Sequence, residues 1–150
     1  MEFRLVQIGK IKRSATGNCL EIEPKYIDGL IELENYNYIH VFWWAHELDA
    51  KKHREVLKTK IPYAKTDTIA GVFACRSPER PNPIMTTVCK IRGINLAKGK
   101  IYIENIDAFS ESPIIDIKPY IHCNDRVKTC KVPKWLPVEW GEWLPAKGIS

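Results

Sequence analysis

Apolar and polar positions along the chain alternate with a period near two, in short runs separated by turn residues. Phe3 to Ile11 alternates loosely and predicts a first strand, in which Gly9 marks a bulge or a close backbone approach. Lys10 to Asn18 is polar, and Ser14, Thr16, Gly17 and Asn18 predict a turn. Cys19 to Glu23 alternates apolar with acidic residues and predicts a half-buried strand that Pro24 ends. Ile27, Leu30, Ile31 and Leu33 partly fit a 3.6-residue period, which predicts a short helical turn over Tyr26 to Glu34. Tyr38 to Ala45 is continuously apolar and aromatic and predicts a central buried strand. Polarity switches at His46, so Glu47 to Leu57 predicts a short helix or loop, and Thr59 to Asp67, which holds Pro62, a loop. Thr68 to Ala74 reads as strand again. Met85 to Ile94 places Thr87, Cys89 and Ile91 on one face and Val88 and Lys90 on the other. Asn95 to Lys100, with Gly99, predicts a hairpin turn into a partner strand over Lys100 to Ile106, and Pro113 to Ile117 a last short strand. Many short strands, few helical periods and 10 prolines predict an all-β barrel with minor helices over residues 1–122.

Residues 123–150 break the pattern. Trp135, Trp140 and Trp143 alternate with Pro133, Pro137 and Pro145, which predicts an irregular tail packed on the barrel by buried tryptophans, with a partner-binding segment as the alternative. A length of 150 residues suffices for one real core, and 45% hydrophobic and 27% charged residues are ordinary for a soluble globular chain. No apolar run reaches spanning length and Met1-Glu2-Phe3-Arg4 is charged at once, so the expectation is a cytoplasmic protein with no membrane association. Five unevenly spaced cysteines argue against a disulfide framework and fit a reducing compartment. The spacing of His122, Cys123 and Cys130 matches no standard zinc knuckle, so no metal is expected. The net charge of +5 permits a nucleic-acid partner without demanding one. The basic residues gather in two segments, Lys51 to Lys65 and Arg126 to Lys134, each either a solvated face or a surface for phosphates.

The richest stretch is Gly71-Val72-Phe73-Ala74-Cys75-Arg76-Ser77-Pro78-Glu79-Arg80-Pro81-Asn82-Pro83-Ile84. It opens as an apolar strand, Val72 to Ala74, and continues as a loop stiffened by Pro78, Pro81 and Pro83. Such a loop loses little entropy on ordering, and it carries two guanidinium groups and an amide, Arg76, Arg80 and Asn82. This stretch closely resembles the signature G-V-F-A-T-R-S-x-x-R-P-N-P-I-G of the TsaA-like (YaeB/TrmO) family. Asp116-Ile117-Lys118-Pro119-Tyr120 matches that family's D-I-K-P-Y, and Ile39 to His46 looks like its apolar strand ending in histidine. The resemblance spans Leu5 to Tyr120. It implies a small β-barrel that binds S-adenosyl-L-methionine near a homodimer interface and methylates N6 of threonylcarbamoyl-adenosine next to the tRNA anticodon.

By that resemblance Arg76, His46, Glu47 and Thr86 contact the cofactor, as does the turn Phe109-Ser110-Glu111-Ser112. Arg76 suits the methionine carboxylate, and Arg80, with Asn82, suits either that carboxylate or the tRNA substrate. Asp116, Lys118 and Tyr120 are the candidates for the reacting centre, since alternate strand residues share a face; which of them acts as base stays open, and a structural Asp–Lys pair is the plain alternative. Three departures stand out. Ser110-Glu111-Ser112 replaces the family's frequent Asp-Gly-Thr, Cys75 replaces threonine, and Met85-Thr86-Thr87 follows Ile84 where the family continues with glycine, so Met85 is expected to narrow or shift the pocket. Longer family members carry a folded domain in place of the Trp- and Pro-rich tail. These departures favour two rival readings: a non-catalytic module that binds the cofactor or RNA, and a methyltransferase for small molecules.

Overall fold

A computed structural model describes residues 1–145. Its main feature is a closed antiparallel barrel of six strands in the order β1-β2-β7-β6-β3-β8. The strands are β1 (Gly9–Ser14), β2 (Gly17–Ile22), β3 (Tyr38–Trp44), β6 (Ile84–Asn95), β7 (Lys100–Ile103) and β8 (Pro113–Pro119). β4 (Lys58–Lys60) and β5 (Ile69–Gly71) form a separate two-stranded ribbon. Two one-turn helices, α1 (Lys51–Arg54) and α2 (His122–Asp125), flank the barrel, and the remaining turns are 3-10. This is the all-β barrel with minor helices that the alternation predicts.

The pleat explains the barrel wall. On β3, Ile39, Val41 and Trp43 face inward and are buried, while Tyr38, His40, Phe42 and Trp44 face outward and are half-buried. Ile11, Leu20, Ile101 and Ile114 join them inside with 0% exposure, each contributing about 1.5–3 kcal/mol of transfer free energy. Gly9 is the close approach that its position in the pattern predicts: a Cβ there would lie 2.3 Å from the Glu21 carbonyl oxygen, so the seam where β1 meets β2 and β8 requires glycine. Gly99 ends the β6–β7 turn at φ +59°, the left-handed region glycine tolerates best.

Several elements differ from the pattern. The first strand begins at Gly9 rather than Phe3, and Phe3, Leu5 and Val6 are exposed. The polar run Lys10 to Ser14 is strand because β2 pairs with it residue by residue and only Ile11 must face the core. Lys58–Lys60, with Thr59 and Lys60 expected as loop, pairs with β5. Val72 to Ala74 is not strand; β5 stops at Gly71 and the chain turns in a 3-10 helix, with the Arg80 guanidinium donating to the Val72 carbonyl. The partner strand after Gly99 ends at Ile103. Trp135 and Trp140 are half-buried against Tyr63, with ring centroids 6.1 and 4.8 Å away, whereas Trp143, also expected to be buried, is 69% exposed and has the Arg126 guanidinium 5.8 Å from its ring. The tail prediction also covers 146–150, outside the described residues. Among the described residues no helix is long and apolar enough to cross a membrane.

Candidate functional site

Antiparallel pairing brings the end of β3 beside the starts of β6 and β8: Trp44 pairs with Ile84, and Trp43 with Ile114. Just past the ladder, Ala45 N–H donates to the Pro83 carbonyl at 2.9 Å, which ties the strand end to the signature loop. His46 Nδ1 lies 3.2 Å from Ser112 Oγ, and Ser112 is completely buried. Strand end, signature loop and the 109–112 turn therefore meet at one end of the barrel, although 66 residues separate the two bonded side chains.

The turn is locked onto β1. Glu111 N–H donates to the Ile11 carbonyl at 2.7 Å, and Ile11 N–H donates to the Ser112 carbonyl at 3.0 Å. Glu111 has φ +69°, the left-handed conformation that suits the glycine it replaces. Its carboxylate is held by Lys12 and, at 3.4 Å, by Lys10. The hydrogen bond from Lys12 holds the Glu111 carboxyl below its usual range and raises the Lys12 ammonium. Ser110 Oγ accepts from Arg13 N–H at 3.3 Å. The side chains of Ser110 and Glu111 are thus directed at β1, and the turn offers its backbone, the exposed Phe109 ring and the Ser112–His46 pair.

The signature loop is clamped from two sides. From within, Arg80 donates to the Val72 carbonyl and, at 3.0 Å, to the Cys75 carbonyl. From α1, His53 Nδ1 sits 2.5 Å from Glu79 Oε1 and Arg54 Nε donates to the Pro81 carbonyl at 2.9 Å. Arg54 also reaches Asn82 Oδ1 at 3.4 Å and Asp49 at 3.2 Å, and its guanidinium lies 5.8 Å from the Trp44 ring. His53 and Arg54 read in the sequence as members of a basic face; their role in holding the loop has no signal in the local pattern. Of the residues expected at the substrate, Arg80 is engaged in the loop itself and the Asn82 side chain accepts from Arg54 of α1. Arg76 is exposed and has no ion pair among the described residues.

Met85 does not narrow the pocket. It faces the core at 8% exposure, because β6 alternation turns it inward and Thr86 outward beside Phe42. The Thr86 hydroxyl is buried and has no hydrogen-bond partner among the described residues. Glu47 is exposed beyond the strand end. Of the proposed reacting centre, Asp116 and Lys118 come together at 2.7 Å, with Asp116 opposite Phe42. Tyr120 lies just past the end of β8, its ring 5.6 Å from that of His40, outside that pair. Among the described residues no three His, Cys, Asp or Glu side chains gather as a metal site.

The family profile described as the tRNA-methyltransferase O N-terminal domain matches residues 7–126. A Methanocaldococcus jannaschii protein named "Probable S-adenosyl-L-methionine-binding protein" is 39% identical over 116 residues, which cover 77% of this chain and 90% of that one. The mouse protein named tRNA (adenine(37)-N6)-methyltransferase is 31% identical over 119 residues, 76% of this chain but only 26% of its own length. The crystal structure of TrmO from Pseudomonas aeruginosa superposes with a TM-score of 0.65 at 24% identity, covering 87% of this chain and 62% of that chain, and so shares the fold. The match over 7–126 takes in the signature loop, the β3 end and Asp116 to Tyr120 together, and the chain belongs to the tRNA-methyltransferase O N-terminal domain family.

Proposed function

We propose that the chain is an S-adenosyl-L-methionine-dependent methyltransferase whose substrate is N6 of threonylcarbamoyl-adenosine in a tRNA anticodon loop. The observation that carries the reading is the meeting of strand end, signature loop and 109–112 turn through the His46–Ser112 contact. The residues there fit the cofactor. Arg76 has a guanidinium without an ion partner among the described residues, suited to a carboxylate, and Thr86 has a buried hydroxyl still lacking a partner. Glu47 suits a ribose hydroxyl or an ammonium, and the backbone and ring of the turn at Phe109 offer hydrogen bonds and a stacking face.

The bound cofactor supplies an electrophilic methyl group on a sulfonium centre. The chain then has to bind and orient the nucleophile and accept one proton from N6. Asp116, opposite Phe42 on β3, is the candidate acceptor, and Lys118 at 2.7 Å fixes its carboxylate. Arg54 and His53 hold the loop that carries Arg76, so the site is shaped before binding. The outward side chains of β3 with Tyr120 form the aromatic face assigned to the homodimer contact, which sedimentation equilibrium tests as a concentration-dependent mass.

The reaction is tested with methyl-labelled cofactor and two anticodon stem-loops, with and without the threonylcarbamoyl group. Label in N6 of the modified nucleoside alone is the expected result. Cofactor binding with no label in either RNA overturns the substrate assignment and favours the small-molecule reading.

A further inference from the structure

The family match ends at residue 126, and the chain beyond it packs back on the loop between β4 and β5. Trp135 and Trp140 pack on Tyr63 from the loop after β4, and beside them opens a recess of about 350 Å³. Its wall includes Tyr63, Trp135, Leu136 and Pro137, and Lys65 and Lys134 line it as well. These two lysines come from the two separate basic segments of the sequence, so the fold merges two charge clusters at one aromatic wall. Neither has an ion partner among the described residues, whereas Lys51 pairs with Glu55 at 3.6 Å and Lys60 with Asp67 at 2.5 Å. Burial raises the Tyr63 hydroxyl, Cys75 adds to that rise and the Arg76 guanidinium of the signature loop opposes it.

We propose that this recess binds one unpaired nucleotide of an RNA strand, its base stacked on the tryptophan wall and its phosphate between Lys65 and Lys134. The chemistry matches single-strand recognition, in which aromatic faces take any base and lysines track the backbone. A volume of about 350 Å³ lies in the range of small-ligand sites, and a nucleobase needs only part of such an opening. The proposal rests on the reading of the chain as an RNA methyltransferase. It goes beyond that reading by placing a second contact to the same strand outside the methyl-transfer site, where residues beyond the family match, Lys134 to Pro137, meet Tyr63 and Lys65 within it.

The test uses the full chain and a labelled single-stranded oligoribonucleotide, followed by fluorescence anisotropy across a salt series. Lys65→Glu with Lys134→Glu is compared with an equal charge change at two turns that do not line the recess, Lys25→Glu with Lys98→Glu. The recess variant should weaken RNA binding at least about tenfold and flatten the slope of log K against log salt by about 0.7, the contribution of the one phosphate held between the two lysines. Trp135→Leu should weaken binding about fivefold or more with the slope unchanged, as loss of one stacking face predicts. Calorimetric binding of S-adenosyl-L-methionine should be unaltered in all of these variants, which also shows them folded. Equal weakening by both charge variants, or RNA affinity unchanged by the recess variant, overturns the proposal while leaving the methyltransferase reading intact. No RNA binding by the unmodified chain, with cofactor binding retained, overturns both the proposal and the assignment of an RNA substrate.

Discussion

Arg54 makes the least obvious contribution to the proposed site, because it never reaches the cofactor and acts by holding the loop that does. Its Nε donates to the Pro81 carbonyl at 2.9 Å in a part-buried position. A hydrogen bond to a charged group contributes about 1.5–3 kcal/mol; with the Arg54 side chain 41% exposed, about 1–2 kcal/mol is the figure to use. The bonds to Asn82 and Asp49 are longer and exposed and add little. Arg54→Ala should therefore lower the melting temperature by about 3–6 °C for a chain of 150 residues. If the clamped loop is the binding-competent state, affinity falls with its population, and the same 1–2 kcal/mol sets a ceiling of about five- to thirtyfold. The assay is calorimetric titration with S-adenosyl-L-methionine alongside hydrogen exchange of residues 75–84. Faster exchange with weaker binding is the expected pair of results. Faster exchange with affinity within twofold of the unmodified chain would refute the argument that the clamp shapes the site. Arg54→Lys should resemble Arg54→Ala, since an ammonium keeps the charge and loses the fork geometry.

Arg76→Ala should cost at least about tenfold in cofactor affinity by calorimetry with an unchanged melting temperature, because the side chain is exposed and its proposed partner is the ligand alone. Thr87→Val should destabilise by about 1–3 kcal/mol in urea unfolding: the Thr87 hydroxyl accepts from the Trp43 indole at 3.1 Å and donates to Asp107 at 2.6 Å, and valine strands the buried indole N–H. Gly9→Ala should lower urea stability by about 1–3 kcal/mol or more, since the new Cβ meets backbone at 2.3 Å and no side chain there can move aside. Burial pushes the Cys89 thiol up to about 12, so a thiol reagent at pH 8 should label exposed Cys123 and Cys130 in the folded chain and reach Cys89 only on unfolding. Because the folded thiol keeps its proton longer than the unfolded one, this group's contribution to stability should fall as pH rises from 9.0 towards about 12.

The barrel was legible because most of its strands carry their own period. β3 announces itself by an unbroken apolar run, and β6 by clean alternation, since one face meets the core and the other does not. β1 was misplaced by its polar residues: a strand with one inward side chain, Ile11, looks like a loop until the partner that hydrogen-bonds it is known. The 3-10 turn at Val72 was hidden for a related reason, because Arg80, eight residues on, supplies the donor that favours turning over extension. At the site, the motif identified the stretches that meet, and periodicity put Asp116 and Lys118 on one face. It could not show that Arg80 points back into its own loop or that His53 and Arg54 hold that loop, Arg54 through Asn82 among others, since such contacts depend on how the chain folds back and how α1 docks.

The departures from the family pattern acquire a physical meaning from the same contacts. A methionine in place of a glycine looks like an obstruction in sequence, yet strand alternation sends Met85 into the core and leaves the outward position to Thr86. A glutamate in place of a glycine looks like a lost turn, yet Glu111 adopts the left-handed backbone and is held there by two lysines that β1 places at alternate positions, Lys10 and Lys12. Lysines at alternate positions on β1 project from one face, so both can serve the same carboxylate only while the turn stays on that strand. The turn is therefore tied to β1 by side chains as well as by the Glu111–Ile11 and Ile11–Ser112 backbone bonds, and Ser112 keeps its place against His46. What changed in sequence is the means of holding the turn, and what the site uses, the Ser112–His46 contact and the adjoining backbone, lies on the other side of that anchorage.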